Sequence, residues 1–183
     1  SFERVRGSDY VKATYKGIPI ELSDVELYHI DSVYNEERNE WEDRENLAFQ
    51  GQWLICGGSR KLSGEVHLAP CTGKSRRQFK KECILTGNET FDERFIVTAQ
   101  YEQEAFYILT PHMMEYILDV QQKVGGDIYM SFLQDEKLHI AVKSGRNFFE
   151  LGRSRADAAA LRSKFLGEIR WFTDMIDTLH LQG

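Results

Sequence analysis

The sequence predicts an α+β domain, in which a largely antiparallel β-sheet carries a mid-chain helix and a long C-terminal amphipathic helix. Three observations predict this class. Residues 10–85 contain several runs in which apolar and polar side chains alternate, as in half-buried strands. Residues 111–124 and 155–180 repeat apolar side chains at the three- and four-residue steps of a helix. Further strands between 95 and 143 extend the sheet, so that the helices form a second layer on it.

The first predicted elements are a hairpin and a long strand. Alternation over Tyr10–Lys16, a turn at Gly17 and renewed alternation to Leu22 are typical of two antiparallel strands. The run "LAFQGQWLICG" at 47–57 predicts a longer strand. Gly51 inside it indicates a bulge or a close approach of another backbone.

Charged segments separate the remaining strands of the first half. The run "NEERNEWEDREN" at 35–46 is interpreted as a solvated loop, with Trp41 pinning it to the body. Short strands are predicted at 65–69 and 83–85. Between them, "GKSRRQFKK" at 73–81 has the composition of a basic linker.

The second half mixes strands and helices. Phe91 and Phe95 lie four residues apart, which fits one helical turn with both rings inward. A strand follows in "FIVTAQ", and residues 101–109 fit either a strand or a short helix. Two strands at 127–133 and 137–142 form a second hairpin across "QDEK".

Both predicted helices have clear local signals. Thr110 is a suitable N-cap, Pro111 belongs at the first helical position, and Gly125 is a suitable C-cap. Within that helix, Met113, Met114 and Tyr116 either belong to the core, which we favour, or line a ligand groove. The C-terminal helix has a broad apolar face, formed by Leu161, Phe165, Ile169, Phe172, Ile176 and Leu179.

Length and charge limit the class of protein. The 183 residues suit one domain spanning 1–183, with a β-rich lobe at 8–86 and an α+β lobe at 87–183 as its subdivision. The net charge of −6 argues against nucleic-acid binding, because phosphate contact needs surplus Lys and Arg. Cys56 and Cys83 lie in apolar runs and are expected to be reduced core residues, with Cys71 as a loop thiol. The alternative is one disulfide and a spare thiol.

One basic cluster is a candidate binding site. Lys74, Arg76, Arg77, Lys80 and Lys81 form the densest group of positive charges in the chain. Such a cluster suits either a solvated loop, which we favour, or contact with anionic lipid headgroups. Gly73, Lys74 and Ser75 resemble the end of a phosphate-binding loop, but Leu68 stands where that loop needs its first Gly. Nucleotide binding is therefore not predicted.

No catalytic motif or local metal-ligand spacing is present, so we predict neither a cofactor nor a metal. His29, His67 and His139 each lie in or beside a predicted strand and could converge into one site. His112, in the first turn of its helix, is expected to face solvent. An enzyme would have to assemble its site from scattered residues, with His67 and His139 as the first candidates.

Several stretches taken together resemble a known family. They include "GSDYVKATYKGIPIELSDVELYH", "FQGQWLIC", "RFIVTAQYEQEAFYILTPHMMEYILDV" and "DIYMSFLQDEKLHIAV". Together they are similar to a bacterial family of domains of unknown function, number 3137. The resemblance implies two membrane segments ahead of this domain, which would place it at the cytoplasmic face of the inner membrane. It implies no activity and no catalytic residue.

These observations favour a non-catalytic binding or interaction module with a protein or membrane-surface partner. Two alternatives stay open at this point. One is an enzyme with a site assembled from scattered residues. The other is an anionic-lipid-sensing domain that uses the basic cluster at 74–81.

Overall fold

The computed structural model describes residues 3–57, 61–79, 81–145, 167 and 169–178. Within these residues, seven strands form one antiparallel sheet in the order β1-β2-β3-β7-β6-β4-β5. The strands are β1 Arg4–Tyr15, β2 Ile18–Asn35, β3 Glu40–Cys56, β4 Val66–Pro70, β5 Phe95–Ala99, β6 Asp127–Phe132 and β7 Leu138–Lys143. The sheet and its accompanying helices confirm the predicted α+β class.

The helices are α1 Gly73–Gln78, α2 Glu89–Arg94, α3 Glu102–Ile108 and α4 Pro111–Val124, followed by α5 at 169–178. The α3 helix decides the ambiguous stretch at 101–109 in favour of a helix. Gly167 is also helical, and the remainder of the predicted C-terminal helix, with Leu161, Phe165 and Leu179, lies outside the described residues.

The local signals around α4 operate as predicted. The Thr110 side chain accepts a hydrogen bond from the Met113 amide at 3.3 Å, and Pro111 occupies the first helical turn. Gly125 ends the helix in the left-handed region, with φ 62°. His112 is exposed, as expected. The bounds of this helix therefore follow from capping chemistry that can be read in the sequence.

One face of the sheet packs against α4 and α5 to form the main core. From α4 the core takes Met113, Met114, Ile117 and Val120, and from α5 it takes Phe172, Met175 and Ile176. Opposite them lie alternate residues of the central strands, including Leu54, Met130 and Ile140. The two methionines are therefore core residues, as favoured. Phe91 and Phe95 are both buried and stack at 5.0 Å between ring centroids, which confirms their inward orientation.

The charged run at 35–46 holds a tight turn and the first residues of β3 rather than a solvated loop, which corrects the prediction; β2 and β3 form a two-stranded ribbon here. β2 continues to Asn35 and β3 begins at Glu40, leaving only residues 36–39 as the turn. Polar side chains bridge the two strands, as where Ser32 donates to Asp43 at 2.8 Å. Trp41 does not pin this ribbon to the body, since 70% of it is exposed and its ring contacts Tyr34.

Two shorter segments also differ from the prediction. The basic stretch at 73–81 contains the helix α1, whose capping box joins Thr72 and Ser75. The predicted strand at 83–85 is a single isolated bridge between Ile84 and Val97. Neither segment is long enough to produce a periodic pattern that identifies it from sequence.

All three cysteines are free. Cys56 is buried in β3, and burial raises the pKa of its thiol to about 12. Cys71 and Cys83 are both half-buried. Among the described residues, no helix has the length and hydrophobicity needed to cross a membrane.

Candidate functional site

One cleft lies between α4 and α5, above the sheet. It has a volume of about 540 Å³. Its floor is formed by Gln52 of β3 and Val142 of β7, which are paired residues in the ladder. A cleft of this volume lies within the range of small-molecule sites, roughly 300–1,000 Å³.

Gln52 is the unusual residue of the floor. Only 1% of it is exposed, although it follows the apolar alternation of Leu54 and Cys56 on the helix-covered face. Its Nε2 has no hydrogen-bond partner among the residues that the structure describes. An unmet buried donor costs about 1–3 kcal/mol, so an apolar residue would fit this position better for stability alone. Across the ladder it pairs with Asp24, which is also buried.

The walls of the cleft are connected by one hydrogen bond. The Tyr116 hydroxyl of α4 donates to the Trp171 carbonyl of α5 at 3.1 Å. Burial, followed by the negative charge of Asp174, raises the pKa of Tyr116 above its ordinary value, so the phenol stays protonated near neutral pH. Tyr116 therefore lines the cleft, while its neighbours Met113 and Met114 are buried in the core.

Charged side chains surround the opening of the cleft. Lys123 is held by Asp119 in an ion pair at 2.6 Å. Arg170 and Asp174 lie one turn apart on α5, and both are exposed. Within the described part of the chain, Arg170 forms no ion pair.

The predicted basic cluster lies on and after α1. Lys74, Arg76, Arg77 and Lys81 are exposed, and Lys80 lies outside the described residues. The two arginines already contact their surroundings: Arg76 donates to the Cys71 sulfur at 3.2 Å, and Arg77 donates to the Gly73 carbonyl at 2.9 Å.

Arg76 and Arg77 share a hollow of about 830 Å³ with acidic side chains. The acidic lining residues are Glu89, Asp92 and Glu93. Leu85, 71% exposed, also lines the hollow. The positive field of the cluster is therefore reduced by nearby carboxylates, while an apolar side chain stands beside it.

Two of the three strand histidines lie in one row on the other face of the sheet. His67 of β4 and His139 of β7 are the ladder partners of Ser131 on β6, one on each side. The Nδ1 of His67 lies 3.0 Å from the Ser131 hydroxyl, and its Nε2 lies 3.4 Å from the Glu65 carboxylate. His29 pairs with Asn46 in the second half of β2 and does not join this row.

This row of Ser131, His67 and Glu65 has the residue types of a nucleophilic catalytic site. Among the described residues it lacks hydrogen-bond donors for an oxyanion. Acyl transfer needs preorganised donors aimed at the developing oxyanion. Ser131 lies mid-strand between two paired neighbours, so the backbone amides around it are used by the sheet ladder. Glu65 and His67 are also close to half exposed. No group of three potential metal ligands occurs among the described residues.

Sequence reasoning did not select Gln52 or Asp24. A signal for both was present, because each polar residue stands at a position where the strand alternation predicts an apolar one, beside Leu22 and Leu54. Arg170 gave no signal, since charged residues are expected on the outer side of an amphipathic helix.

Comparison with known families gives a match over most of the chain. A family model described as a protein of unknown function (DUF3137) matches residues 47–181. The matched span contains every cleft residue named above and leaves β1, β2 and the start of β3 outside it. No curated protein and no solved structure matches the chain.

Proposed function

The chain belongs to the DUF3137 family of proteins of unknown function. We propose from its geometry that it is a non-catalytic binding module, which holds a small ligand in the cleft between α4 and α5. Gln52 is the observation that carries this proposal. Its amide donor is buried at the floor of a cleft and has no partner in the described structure. Functional sites are where a protein keeps a buried polar group at a cost in stability.

Two further features support a binding role over a catalytic one. The sequence has no catalytic motif set, and the histidine row has no oxyanion donors among the described residues. The cleft instead combines apolar walls with a few polar groups at its floor and opening, which is the usual composition of a ligand site.

Native mass spectrometry of the purified chain, compared with its denatured mass, tests the proposal. We expect a retained ligand in the wild-type protein and its loss in Gln52→Leu, which replaces the donor with an apolar side chain of similar size. Gln122→Leu, on the exposed side of α4, is the matched control and should retain the ligand.

Gln52→Leu should also be more stable than wild type without ligand, by about 1 kcal/mol, because the unmet donor is gone. Urea unfolding measures this change. If the variant retains the same ligand mass as wild type, or is destabilised, Gln52 does not serve a ligand and the proposal fails.

In the full-length protein we place this module at the cytoplasmic face of a bacterial membrane. The support is the family resemblance, which implies two membrane segments ahead of the domain. Fractionation of cells that express the full-length protein, followed by protease treatment of intact spheroplasts, tests the placement. Protection of the domain is expected, and digestion from outside would contradict it.

A second candidate function is contact with anionic lipid through Lys74, Arg76, Arg77, Lys80 and Lys81. The observation that favours it is Leu85, exposed beside Arg76 and Arg77, since membrane contact combines apolar insertion with basic residues. Sedimentation with phosphatidylcholine vesicles, with and without phosphatidylglycerol, at two salt concentrations tests it. Binding should need the anionic lipid, fall with salt, and be lost in Lys74→Glu/Lys81→Glu but not in Lys61→Glu.

A further inference from the structure

We infer that copies of this chain associate head to tail, with the projecting ribbon of β2 and β3 of one copy docked on the basic cluster beside α1 of the next. The inference goes beyond the cleft and does not depend on its ligand. It follows from an exposed aromatic anchor, from two surfaces of opposite charge, and from the places of these surfaces in the fold.

The ribbon projects from the sheet without a third strand. The β1–β2 ladder ends at Tyr28 and the β3–β7 ladder starts only at Gly51. Among the described residues, 29–35 and 40–46 therefore have only each other as ladder partners. A two-stranded hairpin by itself is at best marginally stable in water. A surface that packs on the ribbon therefore stabilises it.

The tip of the ribbon carries an aromatic anchor. Trp41 is 70% exposed, and its ladder partner Tyr34 is 42% exposed. The two rings meet edge to face, with 5.4 Å between their centroids. Trp and Tyr are the residue types that most often dominate the binding energy of a protein interface, provided that a pocket on the partner takes them up.

The charges of the ribbon and of the basic cluster are complementary. Residues 35–46 contain six acidic and two basic side chains, whereas residues 73–81 contain five basic and no acidic ones. Within the described part of the chain, Glu36, Glu40 and Lys74 are exposed and form no ion pair. Opposite charges arranged in this way steer two surfaces together and fix their orientation.

The surface beside α1 has a place for the anchor. Leu85, 71% exposed, lines the hollow of about 830 Å³ together with Arg76 and Arg77. An indole packed against Leu85 leaves water, and a guanidinium group stacks favourably on an aromatic face. The hollow therefore offers the two kinds of contact that Trp41 lacks in its own chain.

The acidic residues of the same hollow are compatible with this contact. Asp92 already accepts hydrogen bonds from the amide and the hydroxyl of Thr86, at 3.0 and 2.8 Å. Glu89 and Glu93 are exposed, and the exposed Arg44 of the ribbon supplies a positive charge for them.

The two surfaces lie apart within one copy. In the sheet order, β7 and β6 separate β3 from β4, and β4 leads into α1. No ion pair between described residues joins the ribbon to α1. Because the two surfaces differ, the contact is heterologous: the end copies keep one free ribbon and one free cluster, so association continues beyond a dimer.

Sedimentation velocity over a range of protein concentrations, at low and at physiological salt, tests the inference. The wild-type chain should form dimers and larger species as its concentration rises, and fewer of them at the higher salt. Trp41→Ser should weaken the association about thirtyfold. Lys74→Glu/Lys81→Glu should weaken it at least as much, because it reverses two charges of the cluster.

A mixture of the two variants identifies the contact. Trp41→Ser keeps its basic cluster and Lys74→Glu/Lys81→Glu keeps its ribbon, so the mixture should form a one-to-one dimer that grows no further. Formation of this dimer also shows that both variants are folded.

Two control variants change the same residue types elsewhere. Phe106→Ser removes an exposed aromatic ring from α3, and Lys61→Glu/Lys143→Glu reverses two exposed charges outside the cluster. Both should associate as the wild type does.

Three results would overturn the inference. They are a wild-type chain that stays monomeric at every concentration in low salt, a variant mixture that forms no dimer, and an association that Lys74→Glu/Lys81→Glu leaves unchanged. If in the last case this variant loses binding to phosphatidylglycerol vesicles, the cluster serves lipid instead. Retention of a ligand in the cleft is measured separately, so the proposed function stands or fails on its own test.

Discussion

Trp53 donates a hydrogen bond from its indole Nε1 to the Nδ1 of His139 at 3.3 Å, across the β3–β7 ladder. The bond requires Nδ1 to be an acceptor, so His139 is neutral with its proton on Nε2. Burial lowers the pKa of His139, with Lys137 adding to the shift and Asp135 opposing it. Protonation of His139 at Nδ1 therefore breaks the hydrogen bond that Trp53 donates to it in the folded protein.

The sign of the resulting pH dependence follows directly. As the pH falls, His139 of the unfolded chain binds a proton near pH 6.5, while in the folded protein it does so only at a lower pH. The contribution of neutral His139 to the free energy of unfolding is therefore complete above about pH 6.5. It is lost as the pH falls through the lowered pKa of the folded protein. We expect the free energy of unfolding to fall less steeply between about pH 7.5 and about pH 5 in His139→Gln than in wild type. Urea unfolding across this range measures the slope. An unchanged slope in His139→Gln would contradict the assignment.

Gly51 is required by the contact between β3 and β7. A Cβ at this position would lie 1.9 Å from the Val142 carbonyl oxygen. We expect Gly51→Ala to destabilise the protein by more than about 3 kcal/mol, measured by urea unfolding, because two central strands would have to separate. Gly7→Ala is the control, since its nearest neighbour would be the Ser23 hydroxyl at 3.6 Å, and its stability should stay within about 0.5 kcal/mol of wild type.

Thr110 caps the helix that forms one wall of the cleft. Thr110→Ala removes the acceptor for the Met113 amide and should cost about 1 kcal/mol in thermal or urea unfolding. Thr110→Ser keeps the oxygen and should cost nothing measurable. Equal losses in both variants would show that the methyl group, rather than the cap, is responsible.

Ser131 should not behave as an activated nucleophile, although His67 and Glu65 contact it in series. We expect no covalent labelling by a fluorophosphonate probe, measured by intact mass, because no oxyanion donors accompany the hydroxyl in the described structure. Labelling of wild type that Ser131→Ala abolishes would instead support the enzyme alternative.

The elements that were predictable from sequence have local causes. The α4 bounds follow from Thr110, Pro111 and Gly125, and the first hairpin follows from the turn at Lys16 and Gly17, both in the left-handed region. The ribbon at 35–46 was not predictable by alternation, because both of its faces are polar or exposed. Cross-strand pairs such as Ser32 with Asp43 hold it instead.

The candidate site was less accessible than the fold. Tyr116 was singled out, but the cleft depends on α5 approaching α4, which is a tertiary arrangement without a sequence period. Gln52 is a candidate site residue only because it is buried beneath the cleft that α4 and α5 form. The convergence of His67 and His139, and the separation of His29, depend on β6 lying between β4 and β7.

The strand order determines when, during synthesis of the chain, the sheet can be completed. β3 ends at Cys56, yet its second neighbour is β7, so that Cys56 faces Leu138 from much later in the chain. During synthesis the strands β1, β2 and β3 therefore emerge before β7. The backbone N–H and C=O groups on the free edge of β3 stay unpaired until the β6–β7 hairpin has been made. Pairings between such distant segments slow folding. At this stage a chaperone, or an edge strand of another copy of the chain, can pair with β3. The exposed edge of β3 is covered when β7 pairs with it.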